Sequence, residues 1–313
     1  MKAYEINISV IDPIGPAIEK VKTILFRPFD LGKWFTIGFC AWLAFLGSGG
    51  GGGGGGQGGG RGGGASNVRE AFGQAKEFVL ENLSWIIPVA ITVVVVIIVL
   101  WLVFTWLSSR GRFMFLHCVA ENKAEVKNPW EKFRQHANSL FLFRIALGLI
   151  NLAVMVLPVV LAIFVVIALA GTGVHAGLLL SLVAIGFFAF VISICFTIVY
   201  KFTTDFVVPI MFLRNTSCKA AWREFLSLLS ANKGRFTLYI LFQIVIAIVI
   251  GTIEMLGFCI GCCLCCVSVL LLIPYIGTVI LLPLLVFKRS YSLCYFRQFG
   301  PEFDVFRPEI GPA

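Results

Sequence analysis

The stretch WIIPVAITVVVVIIVLWLVFTWL, residues 85–107, decides the fold class of this chain, because its 23 residues include no charged side chain. An α-helix rises about 1.5 Å per residue and the hydrocarbon core of a bilayer is about 30 Å thick, so about 20 apolar residues cross it. The stretch is therefore predicted to be a transmembrane helix.

Three further runs have the same character. They are IALGLINLAVMVLPVVLAIFVVIALA (145–170), LLLSLVAIGFFAFVISICFTIVY (178–200) and FTLYILFQIVIAIVIGTIEMLG (236–257). The whole chain is 59% hydrophobic and only 13% charged, with a mean hydropathy of +0.95. Soluble domains contain about twice this share of charged residues. The composition therefore excludes a soluble globular protein.

Two weaker candidates flank these four runs. WFTIGFCAWLAFL (34–46) would reach only about 20 Å as a helix. The first span, about residues 34–48, is therefore expected either to thin the bilayer or to continue as a helix into the glycines. The last apolar block contains Pro274 and Pro283, and its part from 264 to 287 is interpreted as the sixth span. The prediction is an all-α, polytopic helical membrane bundle forming a single domain over residues 1–313.

The basic residues predict its orientation. The segments 1–33, 108–144, 201–235 and 288–313 hold 22 of the 25 Lys and Arg residues, and all four lie on one side of a six-span topology. Basic residues favour the cytoplasmic side. Residues 1–33 also lack the pattern of a secretory signal. We therefore expect a multi-pass protein of the cytoplasmic (inner) membrane with both termini in the cytoplasm.

A short motif, Trp-x-x-Phe, recurs on the predicted cytoplasmic side. The motif precedes a span twice, as Trp130 with Phe133 and as Trp222 with Phe225. A related pattern of glycine, basic residue and aromatic residue occurs at Gly32-Lys33-Trp34 and at Gly234-Arg235-Phe236. The pattern indicates an amphipathic helix in the interface, a tight turn and then a span. Two interpretations remain open, namely recognition of an anionic lipid or partner, and simple anchoring of each hairpin. The contact candidates are Trp34, Trp130, Phe133, Trp222, Phe225 and Arg235.

A glycine-rich tract follows the first span, with 15 glycines between residues 47 and 64. Glycine has no side chain to bury, so a mobile linker is one interpretation. Close backbone packing against helices or another subunit is a second. A phosphate-binding loop is the weakest interpretation, since no strand precedes the tract and no GK[ST] follows it. Residues 65–84 are expected to form an amphipathic surface helix.

The tract and the residues before it resemble a known family. RPFDLGKWFTIGFCAWLAFLG (27–47), followed by glycines, resembles a family of uncharacterised prokaryotic multi-pass membrane proteins. The Trp-x-x-Phe units are also similar, more distantly, to the membrane portion of some glycerophosphodiester phosphodiesterases. The chain has no soluble phosphodiesterase domain and no acidic metal cluster, so that resemblance implies no phosphodiesterase activity. Neither resemblance implies site residues.

Two features inside the apolar segments are chemical candidates. Four cysteines, Cys259, Cys262, Cys263 and Cys266, fall on one helical stripe, for which packing, an outer-face disulfide, a metal and acylation all stay open. Glu254 is the one acid inside a predicted span, and intramembrane acids often serve proton or ion movement. The spacing of Lys201 and Asp205 predicts an ion pair at the end of the fourth span.

No arrangement of residues typical of catalysis stands out, and no cofactor or metal is expected. The chain is predicted to be a non-enzymatic scaffold or accessory subunit that binds a protein partner or lipid. Membrane lipids, a membrane-protein partner or a second copy are the expected partners, and nucleic acid is not. A transporter or lipid-handling protein is the alternative, favoured by the repeated hairpins, the prolines and Glu254.

Overall fold

The structure is a computed structural model that describes residues 8–46, 82–172, 176–263 and 274–306. Within these ranges the chain forms helices and no β-strand, which confirms the all-α prediction. The glycine-rich tract and most of the expected surface helix at 65–84 lie outside the described residues.

Eleven α-helices are described, and we number them in chain order. They are α1 (Ile14–Leu25), α2 (Leu31–Phe45), α3 (Leu83–Glu121), α4 (Lys127–Lys132), α5 (Arg134–Thr172), α6 (Ala176–Phe202), α7 (Val208–Arg214), α8 (Cys218–Ala231), α9 (Lys233–Cys263), α10 (Pro274–Ile280) and α11 (Leu282–Arg297). A π-helical turn, Thr203–Val207, joins α6 to α7, and a short 3-10 turn, Pro301–Phe303, follows α11.

Among the described residues, four helical segments are long and apolar enough to cross a membrane, and each covers all or nearly all of one of the four uncharged or nearly uncharged runs. They are Ser84–Glu121, Arg134–Leu169, Ala176–Arg214 and Lys233–Gly257. Most of their large apolar side chains, such as Ile97, Phe164 and Phe187, are exposed. Soluble proteins rarely expose so large an apolar surface to water. In a bilayer the apolar side chains contact acyl chains, and no unfavourable exposure to water arises. The four helical segments therefore fit a membrane protein and are its candidate spans among the described residues.

The first and sixth predicted spans have a different form. Helix α2 has 15 residues, or about 22 Å, and residues including Ile37, Cys40 and Ala41 are buried inside the protein. The described part of the predicted sixth span is divided into α10 and α11, with a break at Leu281. Pro283 lies in the first turn of α11, where its missing N–H and its ring favour a helix start. Six spans therefore stay a prediction.

The helices also extend beyond the predicted spans. Helix α3 continues to Glu121, and its extension carries the fully buried Phe113 and Met114. Helix α5 begins at Arg134, so the expected amphipathic helix and turn before residue 145 reduce to the six residues of α4. No glycine or proline lies between residues 134 and 145 to interrupt the helix. In the second motif, the break at Asn232 separates α8 from α9 as expected.

The chain divides into two compact units. Unit 1 comprises Met1–Gly53, Thr105–Arg144 and Ile198–Ala313, and unit 2 comprises Gly54–Phe104 and Ile145–Thr197. The hydrophobic core lies in unit 1. The described part of unit 2 consists of long apolar helical segments with mostly exposed side chains.

An aromatic cluster forms the centre of unit 1. Phe206, in the π-helical turn, is fully buried and its ring centroid lies 5.3 Å from Phe225, 5.1 Å from Phe236 and 5.0 Å from Tyr239. These partners belong to α8 and to the first turns of α9. Burial of aromatic rings is a large source of stability, so the cluster fixes α8 against the ends of two long helices.

Candidate functional site

The two phenylalanines of the repeated motif lie in the core of unit 1. Phe133 and Phe225 are 2% and 0% exposed. Phe133 stacks on Phe212 with centroids 5.0 Å apart, and Phe225 stacks on Phe206. These contacts attach α4 and α8 to the protein interior, so the two phenylalanine side chains lie in the protein core and not at the membrane interface.

The tryptophans of the motif are half-buried and lie at the edge of this core. The ring of Trp130 packs edge-on against Trp106 and under the guanidinium of Arg110, whose carbon lies 4.6 Å from the ring centroid. Trp222 packs against Phe143 of α5 with centroids 5.7 Å apart. Both tryptophans therefore connect a short helix to a long one.

The remaining contact candidates join neighbouring elements at helix starts. Trp34 Nε1 donates a 2.7 Å hydrogen bond to the Leu25 carbonyl, which links α2 to the end of α1. Arg235 is exposed, its guanidinium donates to Asn232 Oδ1 at 3.2 Å, and its carbonyl accepts a 2.9 Å bond from the Tyr295 hydroxyl.

The structure describes only part of the cysteine stripe. Cys259 is exposed on α9, Cys262 and Cys263 lie in the last turn of that helix, and Cys266 lies outside the described residues. Glu254 is half-buried on the same helix. In the described ranges, no group of three or more His, Cys, Asp or Glu residues is placed to hold a metal ion.

A groove runs between the end of α6, the second half of α8 and the first turns of α9. Its volume is about 440 Å³, within the range typical of ligand sites. Its walls are largely apolar and include Phe202, Leu229 and Ile240. Helix α8, which carries the second Trp-x-x-Phe motif, therefore forms one side of an apolar groove.

Three polar residues also line this groove. Lys233 is exposed at the start of α9, and the hydroxyls of Ser230 and Thr237 lie on either side of it in sequence. Both hydroxyls already donate to backbone carbonyls, Ser230 at 2.8 Å and Thr237 at 3.0 Å. The groove thus offers an apolar surface together with an ammonium and a helix N-terminus, both of which favour a negatively charged group.

A buried polar network lies beside the aromatic cluster, and the sequence identified only one of its contacts. The Lys201 ammonium lies 2.9 Å from the Asp205 carboxylate, which confirms the predicted pair. The Tyr239 hydroxyl donates to the same carboxylate at 2.8 Å and accepts a 2.8 Å bond from Gln243. The i, i+4 spacing indicated the first pair, but no local pattern indicated that Tyr239 would reach Asp205 from another helix.

Sequence reasoning also missed that several arginines are buried. Arg112, Arg144 and Arg289 were assigned to cytoplasmic segments, where basic side chains usually face water and headgroups. The structure instead places all three inside unit 1. An arginine next to an apolar run has the same neighbouring sequence whether its side chain is buried or faces water. Hydropathy therefore gives no signal for this burial.

Comparison with known proteins identifies the family of the chain. No curated protein and no solved structure is detectably similar to the chain, so the likeness to the membrane portion of glycerophosphodiester phosphodiesterases gains no support. The sequence model of a family of unknown function, DUF7544, matches residues 8–278 and so covers most of the chain. The chain therefore belongs to the DUF7544 family of unknown function.

Proposed function

We propose that the protein is a non-enzymatic membrane scaffold that holds an anionic phospholipid on the cytoplasmic side of the bilayer. The groove between α6, α8 and α9 carries the proposal. Its apolar walls suit an acyl chain, and Lys233 at the start of α9 suits the negatively charged headgroup. The cytoplasmic orientation rests on the distribution of Lys and Arg.

The scaffold role extends this proposal to protein partners. The exposed apolar faces of the long helices suit contact with another membrane protein or with a second copy of the chain, besides lipid. A lipid bound in the groove would lie against α8, whose aromatic residues Trp222 and Phe225 connect it to α5 and to the core. Lipid binding would thereby stabilise the position of α8 against the spans.

The experiment compares two serines that lie one turn apart on α8. Ser230 lines the groove, whereas Ser227 is exposed outside its lining. Native mass spectrometry of the full-length protein, extracted in mild detergent and supplied with phosphatidylglycerol or phosphatidylcholine, counts the retained lipids. We expect Ser230→Trp to lose retained phosphatidylglycerol and Ser227→Trp to keep it. Equal retention by the two variants and the unmodified chain would refute the groove as the binding site.

A second candidate function is the movement of lipid between the two leaflets. A second apolar cavity, of about 240 Å³, lies in unit 2 and is lined by residues including Leu157, Pro158 and Phe188. Proline leaves unsatisfied backbone groups in a helix and can bend it. Proteoliposomes with a fluorescent phospholipid distinguish the two functions, since only a lipid-moving protein exposes inner-leaflet probe to an external quencher. In that case we expect Glu254→Gln to slow the movement.

A further inference from the structure

Three buried arginines from three helices meet at the end of α6. Arg112 lies on α3, Arg144 on α5 and Arg289 on α11, and they are 5%, 9% and 7% exposed. All three belong to unit 1. A charged side chain so far from solvent requires a compensating partner, because removing a charge from water is costly.

The acceptors that these arginines contact are neutral. Arg112 donates to Thr204 Oγ1 at 2.6 Å and to the Tyr200 hydroxyl, and Arg144 donates to the same hydroxyl at 3.0 Å. Arg289 donates to the Thr204 carbonyl at 2.7 Å. The three guanidinium groups therefore surround Tyr200 and Thr204, one turn apart, without an ion pair to a carboxylate in the described part of the chain.

The charge in this region is unbalanced. Among the described residues Asp205 is the one buried carboxylate, and it is already bonded to Lys201 at 2.9 Å and to the Tyr239 hydroxyl at 2.8 Å. Burial lowers the pKa of Arg289 to about 10, Asp205 acts against this shift, and the positive charge of Arg112 adds to it. Arginine side chains stay protonated at neutral pH, so positive charge exceeds negative charge here.

Two nitrogen donors in the cluster lack a hydrogen-bond acceptor within the ranges that the structure describes. Arg112 Nε and Arg289 Nη2 are buried and have no hydrogen-bond partner among the described residues. Buried donors are almost always satisfied in folded proteins, by protein groups or by a bound molecule. An anion would satisfy both donors and would also balance the excess charge.

The position of the cluster favours a phosphate group. Arg144 directly precedes the apolar run 145–170, and Tyr200 closes the run 178–200. The cluster thus lies at the boundary of the apolar spans, the level at which lipid phosphates lie. Guanidinium groups bind phosphate oxygens through two parallel hydrogen bonds, and several of them can share one phosphate.

We propose that Arg112, Arg144 and Arg289 form a site for one phosphate-type anion, either the phosphate of a membrane phospholipid or free inorganic phosphate. The site shares no residue with the lining of the groove, and its existence does not depend on the proposed scaffold function. The anion binds without forming or breaking a covalent bond.

The first measurement uses the unmodified full-length chain in phosphatidylcholine nanodiscs. Its melting temperature is recorded with sodium phosphate and with sodium chloride at equal ionic strength, and again after phosphatidylglycerol is included in the nanodisc. A rise with phosphate alone identifies the free anion, and a rise with phosphatidylglycerol alone that persists in Ser230→Trp, in which the groove is blocked, identifies the lipid phosphate. No rise with either, relative to chloride and phosphatidylcholine, would overturn the proposal.

Variants then assign the effect to the cluster. Arg289→Gln should weaken the apparent affinity for the stabilising ligand at least about tenfold, because a charge-assisted hydrogen bond is lost. Arg223→Gln is the matched control, since Arg223 is exposed on α8 and its removal changes the net charge equally. Equal affinity in the two variants would contradict the site.

A conservative variant covers the case in which Arg289→Gln does not fold. Arg144→Lys keeps the positive charge and removes the planar fork that holds two phosphate oxygens. We expect it to fold and to bind the ligand more weakly than Arg223→Gln does, whereas unchanged affinity would overturn the proposal. Ser230→Trp should retain phosphate binding, because Ser230 lines the groove and not the arginine cluster. Loss of the groove therefore changes lipid retention in Ser230→Trp, whereas loss of this site changes the affinity of the arginine variants.

Discussion

The Tyr239 hydroxyl donates a 2.8 Å hydrogen bond to the Asp205 carboxylate, and this bond joins α9 to the π-helical turn after α6. Tyr239 is fully buried and its hydroxyl also accepts a bond from Gln243 one turn along α9. Lys201 completes the set of partners around Asp205. A buried acid is therefore held by two long helices at the centre of unit 1.

Tyr239→Phe removes this hydroxyl and leaves the ring in place. We expect the free energy of unfolding to fall by about 1–3 kcal/mol, because Asp205 and Gln243 each lose a buried partner. Reversible unfolding in a mixed detergent titration would measure the loss. Tyr275→Phe is the control, since its hydroxyl makes an exposed 3.1 Å bond to the Phe35 carbonyl and should cost less. Equal losses in the two variants would contradict the role assigned to Tyr239.

The close approach of α2 to α3 gives a second prediction. Ser108 Oγ donates a 2.8 Å bond to the Ala44 carbonyl, and a methyl group on Gly111 would overlap Ala44 N and lie 2.5 Å from the Leu43 carbonyl carbon. These neighbours are backbone atoms that cannot rotate away. Gly111→Ala should therefore lower the free energy of unfolding by about 1–3 kcal/mol as α2 is displaced.

Its matched control is Gly251→Ala on α9, where an added methyl group meets no atom within 4 Å. Alanine favours a helix over glycine by about 1 kcal/mol, so this variant should be unchanged or slightly more stable. Both variants can be compared by their melting temperatures in the same detergent. A neutral effect of Gly111→Ala would show that α2 and α3 do not pack as closely as described.

The membrane character of the fold could be predicted because hydropathy is a local property. Residues 85–107 need no partner to be recognised as a span, and the structure contains them in one long apolar helix. Helix α2 and the divided α10 and α11 were less predictable, because a short apolar run fits both a span and a buried core helix. Contacts with neighbouring helices decide between these outcomes.

The candidate site could be predicted only in part, for the same reason. The Trp-x-x-Phe motif identified α8 as an important element, but its spacing did not show that Phe225 would stack on Phe206 in the core. The buried arginines were missed because the distribution of basic residues predicts the side of the membrane and not the depth of each side chain. Only tertiary contacts distinguish Arg289, which is buried, from Arg223, which is exposed.

Cys218, at the start of α8, gives a prediction on pH. It is 1% exposed, and burial raises the pKa of its thiol to about 12. The folded state therefore keeps the neutral thiol at pH values where the same thiol in the unfolded chain, with a pKa of about 8.5, begins to ionise. The stability that this thiol contributes is fully present below the unfolded pKa and is lost as the pH rises towards 12.

We accordingly expect Cys218 to resist alkylation by N-ethylmaleimide at pH 8.5 in the folded protein and to react rapidly after denaturation in SDS. Peptide mass spectrometry after timed quenching measures both rates. Since the thiolate is the reactive form, burial and the raised pKa act in the same direction. Similar rates in the folded and denatured protein would show that α8 does not cover this residue.

The orientation of the chain gives the last prediction. Asn128 is exposed at α4 and lies in the segment 108–144, which holds seven Lys and Arg, whereas Ser66 follows the glycine-rich tract on the predicted outer side. In a cysteine-free background, Ser66→Cys should react with a membrane-impermeant maleimide added to intact cells. Asn128→Cys should react only after the cells are opened. The reverse pattern would place Lys233 and the groove on the outer side and would remove the basis for a cytoplasmic lipid site. If both Ser66→Cys and Asn128→Cys reacted in intact cells, the two positions would lie on the same side of the membrane. That result would contradict the single span predicted between them at residues 85–107.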